Sequence, residues 1–366
     1  MPNMGPKFSQ LAKPPALEFF AGSGLAGEGY KGYFRTVWAN DNCPKKAATY
    51  FANHSSVPFY QGSIIDVQGA NLPPAVLSWA SFPCQDLSLA GNLSGIKNSR
   101  SALVWEWLRI MDEMKESPPL LVAENVVGLL TAANGNHYRR LHAELSRRGY
   151  RTGAVVLDAK HWTPQSRPRV FVIAAKAQLK TNGLEASMPT WCHPASVVSA
   201  STGLDDFIFW HLPEPRSRRP SLESLVDFNM SCDEPERSKQ LLKLVPAKHQ
   251  ARLKAAINGS DQAFPAYRRT RDGKQVLELR FDGLAGCLRT PGGGSSRQYL
   301  VLVRNGELKT RLLTVNETAR LMGVRRTYKI EGGYNDGYKA MGDAVAVPAV
   351  RHLSRSLLAP LASRIR

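Results

Sequence analysis

The apolar run Ala16–Ala21 ends directly in Gly22-Ser-Gly24-Leu-Ala-Gly27. A strand running without a linker into G-x-G-x-x-G commits the chain to a strand, a tight glycine turn and a helix. The first N–H groups of that helix then point at whatever occupies the turn. Asp41 follows Gly22 by 19 residues, just after the next apolar run, Phe34–Asn40. In a doubly wound sheet this spacing sets a carboxylate beside the turn, able to accept from ribose hydroxyls. The pattern suits a dinucleotide or any adenosine-containing cofactor, and a plain strand-to-helix turn satisfies it too.

Further short apolar runs follow at Ala75–Ala80, Leu120–Glu124 and Val170–Ala175. Stretches of helical composition separate them at Cys43–Phe51, Ser101–Lys115 and Asn136–Arg148. This alternation predicts an α/β fold, a doubly wound, mostly parallel sheet covered by helices on both faces. The pattern weakens after about Gln178. Residues 178–286 are rich in Pro, Ser and Arg, with clusters at Arg216–Arg219 and Arg268–Arg271, and read as a separate module with long loops. Regularity returns after Leu312, with a helix over Val315–Met322 opened by Thr314 and an apolar helical segment over Val345–Ala362. A chain of 366 residues is long enough for two domains.

Lys plus Arg number 48 against 30 Asp plus Glu, a formal charge of +18. Such an excess favours a polyanionic partner without saying anything of fold. The longest apolar stretch, Leu120–Leu130, is broken by Glu124 and Asn125, so no membrane span is expected. The N-terminal decapeptide lacks the apolar core of a secretory signal, and a cytoplasmic protein is expected. The five cysteines are widely spread and form no CxxC pair, which indicates neither a disulfide framework nor a metal site.

Pro83-Cys84-Gln85 follows the run Ala75–Ala80, and carboxyl ends of parallel strands are where such sheets hold ligands. A thiol on that loop can serve as a nucleophile, although a lone cysteine is more often a small buried apolar residue. Glu124-Asn125-Val126 ends the next run, and Gln165-Ser-Arg167-Pro-Arg169 precedes another. Taken in order with Phe20-Ala-Gly-Ser-Gly24, these segments resemble the DNA cytosine-5 methyltransferase family of bacterial or phage type. Arg289-Thr-Pro-Gly-Gly-Gly, Leu313–Gly323 and Met341–Pro348 add to the likeness, which covers nearly the whole chain outside 178–286.

The resemblance implies an S-adenosylmethionine-dependent methyltransferase fold with a smaller target-recognition domain across a DNA cleft. Residues 1–177 plus 325–366 would form the catalytic domain and 178–324 the recognition domain with its hinge. It implies C5 methylation of a flipped-out cytosine in double-stranded DNA, with S-adenosylhomocysteine as product and no metal. Cytosine C5 attacks a methyl sulfonium poorly until a thiolate adds at C6. Cys84 would be that nucleophile, and a free thiol pKa of about 8.5 means nearby cations should assist it. Glu124 would donate a proton on the N3 side, Asn125 would help hold that edge and Arg169 would bind O2. Arg167 would support the loop or a phosphate. The loop Gln85–Arg100 would close over the base, with Gln85, Ser88, Arg100, Gln165, Arg289, Thr290, Gly292 and Gly293 towards DNA.

Cofactor contacts implied in the same way are Phe20, Ala21, Gly22, Ser23, Gly24, Leu25, Asp41, Asn42, Ser63, Ile64, Pro83, Leu103, Asp343, Ala344 and Val345. Three positions depart from the family pattern. Asp41 stands where Glu is commoner, and Ser63 in Gly62-Ser63-Ile64 replaces an Asp. Asp343 in Gly342-Asp343-Ala344-Val345 replaces an Asn and so lacks an amide donor. The family context implies a monomer near the bacterial nucleoid, with a cognate restriction endonuclease as a companion. A nicotinamide dehydrogenase would share the glycine turn but needs neither Pro-Cys-Gln nor Glu-Asn-Val. A cytosine-5 methyltransferase of the same family acting on RNA stays open as the alternative, although the Cys-Phe-Thr of the transfer-RNA subgroup is absent. A catalytically dead DNA-binding relative is disfavoured by the intact Cys84, Glu124, Arg167 and Arg169.

Overall fold

The computed structural model describes residues 13–83, 103–215, 219–257, 259–289 and 297–365. Seven strands form the larger sheet: β1 (Pro15–Phe19), β2 (Arg35–Asp41), β3 (Phe59–Gln61), β4 (Leu77–Ala80), β5 (Leu120–Asn125), β6 (Tyr150–Asp158) and β7 (Pro168–Lys176). Their order across the sheet is β3-β2-β1-β4-β5-β7-β6. The first five pair in parallel, and β7 runs antiparallel to both β5 and β6. β1 and β5 are buried almost throughout, as expected for strands covered on both faces.

Two features of this sheet differ from the sequence reading. Tyr150–Asp158 gave no strand signal, because Arg151, Thr152 and Gly153 interrupt its apolar run. Gly153 is there for a close approach: a Cβ on it would stand 2.0 Å from the Ile208 carbonyl oxygen. The chain that crosses it is part of the region read as a separate module. Ile208 N–H donates to Thr152 O at 2.7 Å. Cys192, Ile208, Trp210 and Leu212 share one core with Val155, Leu157, Phe171 and Ile173. This stretch therefore packs on the large sheet.

The C-terminal segment packs on the same core. Val347–Leu353, a π turn over Ser354–Leu358 and Ala359–Ala362 replace the continuous helix expected from the apolar spacing. The first lies so close to helix Leu25–Tyr30 that a Cβ on Gly29 would stand 2.5 Å from Val350 Cβ.

A second, smaller sheet domain is built from β8 (Gln262–Arg271), β9 (Lys274–Leu279), β10 (Gln298–Arg304) and β11 (Glu307–Leu312). The order is β11-β10-β8-β9, all antiparallel. Helices Pro235–Lys243 and Ala247–Ile257 cover one face, whose own core contains Leu241, Leu253, Phe264, Leu277 and Val301, while Ala263, Leu300 and Leu302 on the other face join the large core. Helix Val315–Leu321 then leads back. Thr314 accepts from Glu317 N–H and the Glu317 carboxylate accepts from Thr314 N–H, a complete capping box. Among the described residues no helix is long and apolar enough to cross a membrane.

Candidate active site and cofactor turn

Glu124 is the last residue but one of β5 and is 6% exposed. Because β7 is antiparallel, the residues that begin it lie beside those that end β5, with Asn125 opposite Val170. Arg169 Nε thereby stands 3.3 Å from Glu124 Oε1. Burial pushes the Glu124 carboxyl above the ordinary carboxylate range, against the opposing pull of Arg169, then Arg167, and a Ser81 hydrogen bond. A buried acid with a raised pKa beside a guanidinium can hold a proton and donate it to a ligand.

The Asn125 side chain is committed to the protein. Its Nδ2 donates to Phe82 O at 3.0 Å and its Oδ1 accepts from Val126 N–H. The amide braces the backbone leading to Pro83, so it acts on the loop rather than on a base edge. Cys84 itself lies outside the described residues, as do Gln85, Ser88, Arg100, Thr290, Gly292 and Gly293.

Two further expectations are corrected by burial. Gln165, read as a DNA contact, is fully buried; its Nε2 donates to Leu321 O at 3.0 Å and its Oε1 accepts from Leu288 N–H. Arg167, read as a loop or phosphate support, is 1% exposed. It donates to Leu288 O at 2.9 Å, Gly342 O at 2.7 Å and Ala344 O. Burial, and then the charge of Arg169, lowers its pKa to about 10. Arg167 ties β7 to the segment entering the small sheet and to the C-terminal turn, so no phosphate can reach it.

The cofactor turn is set by strand ends β1 and β2. Gly22 and Gly24 have φ of 56° and 80°, and Phe20 at 55° is a non-glycine residue held in the same left-handed region. Asp41 closes the turn: Oδ2 accepts from Gly22 N–H and Oδ1 from Cys43 N–H, both at 2.8 Å. Each carboxylate oxygen keeps a lone pair for a ribose hydroxyl. A Cβ on Gly22 would find its nearest neighbours at 3.8 and 4.0 Å, Lys46 Cδ and Asp41 Oδ2, which leaves room for a ligand against the backbone. These residues fit an adenosine-bearing cofactor.

Other expected contacts ring the same turn with uneven access. Ser23 is buried and hydrogen bonds to Ala340 O, and its own carbonyl accepts from Tyr328. The Leu25 and Ile64 side chains lie in core, and Ser63 caps a short turn by accepting from Ile65 N–H. Asn42 and Pro83 are exposed, whereas Leu103 begins helix Leu103–Glu113 partly buried. Asp343 pairs with Lys46 at 2.6 Å, and neighbouring Ala344 and Val345 are half-buried and buried.

A groove of about 860 Å³ runs from Ser166 and Pro168, at the start of β7, along the small sheet. Lys248, Arg269, Arg271, Arg280 and Arg289 line it, with Pro168 and Cys287 at the end nearest Arg169. Asp272 and Glu278 line it too, Glu278 pairing with Arg269 and Arg271, and the cations still outnumber the acids, which suits a polyanion.

A family model described as C-5 cytosine-specific DNA methylase matches residues 16–359. The chain belongs to that family. It is 25% identical over 343 residues to the type II methyltransferase M.BsuFI of Bacillus subtilis, covering 93% of this chain and 71% of that one. With the type II methyltransferase M.HhaI of Haemophilus parahaemolyticus it is 26% identical over 362 residues, 96% of each chain. The solved S. pombe Dnmt2 methyltransferase shares the fold with a TM-score of 0.64 at 15% identity, covering 96% of this chain and 99% of that chain. The chain is therefore a DNA cytosine-5 methyltransferase.

Three residues of this methyltransferase escaped the sequence reading. Glu18 sits under the glycine turn, accepting from Gly27 N–H at 2.9 Å and Tyr30 Oη at 3.2 Å, and burial pushes its carboxyl up to about 7. Its signal was an acid inside an apolar strand. Lys46 gave no signal beyond charge. Cys287, which gave none as a lone thiol, faces the groove with Sγ 3.2 Å from Arg167 Nη1 and 3.9 Å from Arg169 Nη1. Among the described residues no cluster of three or more His, Cys, Asp or Glu could hold a metal ion.

Proposed function

We propose that this methyltransferase methylates C5 of a flipped-out cytosine within a specific double-stranded DNA sequence, through a covalent bond from Cys84 to C6. The observation that carries the reading is the convergence of Glu124, Arg169 and the Asn125-braced loop on one edge of the sheet. S-adenosylmethionine, held at Phe20, Gly22, Gly24 and Asp41, supplies a methyl group on a sulfonium, an electrophile for C5.

The rest is the work of this chain. The Cys84 thiolate adds to C6, forming the C–S bond, and the ring electrons move towards N3 and C5. Glu124 in its protonated form donates to N3 and stabilises that charge. Arg169 holds O2 and orients the Glu124 carboxyl. After methylation, loss of the C5 proton to a base expels Cys84. The target base leaves the duplex, because C6 is stacked inside it. Arg269, Arg271, Arg289 and Lys248 in the groove hold the flanking backbone, and side chains of the small sheet read the sequence.

The domain division follows the two sheets, although Ala263, Leu300 and Leu302 of the small sheet also pack into the large core. The catalytic domain is discontinuous, and Thr181–Leu212 goes with it because Cys192, Trp210 and Leu212 complete its core. The target-recognition domain is centred on β8–β11. We place the protein in the cytoplasm as a monomer acting beside a cognate endonuclease.

DNA carrying 5-fluorocytosine tests the covalent step, because fluorine at C5 cannot leave as a proton. The wild type with S-adenosylmethionine should give an adduct stable to denaturing gel electrophoresis, and Cys84→Ala should give none. An adduct retained by that variant overturns the reading.

A further inference from the structure

We infer that Lys46 and Asp343 divide the amino-acid end of the cofactor between them, Lys46 taking its carboxylate and Asp343 its ammonium. The inference rests on the proposal that the cofactor sits on the Gly22–Gly24 turn. Lys46 Nζ lies 2.6 Å from Asp343 Oδ2, and both side chains are only partly exposed, at 18% and 26%. The lysine stem runs past the turn, close enough that a Cβ on Gly22 would touch its Cδ at 3.8 Å. The pair therefore borders the space where backbone and ligand meet.

Helix stability does not explain this pair. Lys46 is in the first turn of helix Pro44–His54, where no acid precedes it, and Asp343 is the last residue of helix Tyr334–Asp343, whose last turn holds no base. Each charge stands at the helix end whose dipole disfavours it. Asp41 adds to the negative field at Lys46, but its oxygens hold backbone N–H groups of the turn, and Asp343 is the acid that pairs with the ammonium.

Donor chemistry completes the argument. A carboxylate at position 343 accepts hydrogen bonds and cannot donate them, so it suits an ammonium and repels a carboxylate. Lys46 is a pure donor and supplies the missing half. A zwitterion entering the pair replaces one ion pair with two, and no charge is left uncompensated. The pair matches an α-amino acid group and offers nothing to an uncharged thioether.

Calorimetric titration with S-adenosylhomocysteine and with 5′-methylthioadenosine separates the two ends of the ligand, because the second keeps the adenosine and thioether but lacks the amino acid. Lys46→Met should weaken S-adenosylhomocysteine by roughly tenfold or more and leave 5′-methylthioadenosine within about twofold. Adding Asp343→Asn should restore part of the loss, since an amide both donates and accepts. If Lys46→Met melts before titration, Lys46→Gln is used instead. Equal weakening of both ligands, or of neither, overturns the inference. If the wild type binds neither ligand, the cofactor site itself is misassigned; if it binds S-adenosylhomocysteine and the lysine variant binds it equally well, the division of charge alone is wrong.

Discussion

Arg169 Nε stands 3.3 Å from the Glu124 carboxylate across two antiparallel strands, one ending and the other beginning at the same sheet edge. The guanidinium lowers the pKa of an acid that burial raises. Removing it leaves burial opposed only by Arg167 and the Ser81 hydrogen bond. Arg169→Leu should lower kcat by roughly 10²-fold. A proton donor works while protonated, so its activity is lost as pH rises through its pKa. The alkaline limb of the residual kcat profile should therefore move to higher pH. A limb that stays or moves down refutes the donor role of Glu124.

Glu18 carries a pH signature in stability. Its carboxyl is raised from 4.5 to about 7 in the folded protein, chiefly by burial. The folded state then binds more protons than the unfolded state between those values, so stability falls as pH rises through the window and levels off above it. The full loss is about 3 kcal/mol. Urea denaturation at pH 4.5, 6 and 8 should show this slope, and Glu18→Gln should flatten it. An equally steep slope in that variant would place the titrating group elsewhere.

Gly24 combines two constraints that can be separated. At φ 80° a side chain costs about 1–2 kcal/mol, and its Cβ would meet the His54 ring at 2.6 Å. Overpacking adds about 1–3 kcal/mol. Gly273 has φ 74° and nothing within 4 Å of its would-be Cβ. Denaturant midpoints should show Gly24→Ala clearly more destabilised than Gly273→Ala; equal losses would mean that His54 moves aside freely.

The basic groove should govern the salt dependence of DNA binding. Arg289 is exposed and lines it, whereas Arg325 lies outside it and pairs with Glu28. Arg289→Ala should reduce the slope of log affinity against log salt by about one, and Arg325→Ala should leave it unchanged. Fluorescence anisotropy with a duplex between 50 and 300 mM salt, roughly the range where counterion release dominates, would measure both. The reverse pattern would put DNA on another face.

The strand, the glycine turn and Asp41 were legible because each reports its own local environment: apolar burial, a positive φ and a fixed spacing. The same holds for Thr314 and Glu317, whose capping box is a four-residue feature. The direction of β7 was not legible, since alternation within a strand looks the same whichever way the strand runs. That direction puts Arg169, near the start of one strand, beside Glu124, near the end of another. Burial of Gln165 and Arg167 came from packing against Leu288, Leu321 and the 342–344 turn, far away in sequence. Lys46 and Asp343 meet for the same reason: the sequence determined the charges, and only the closing of the C-terminal helices over the first strands decided that the two would pair.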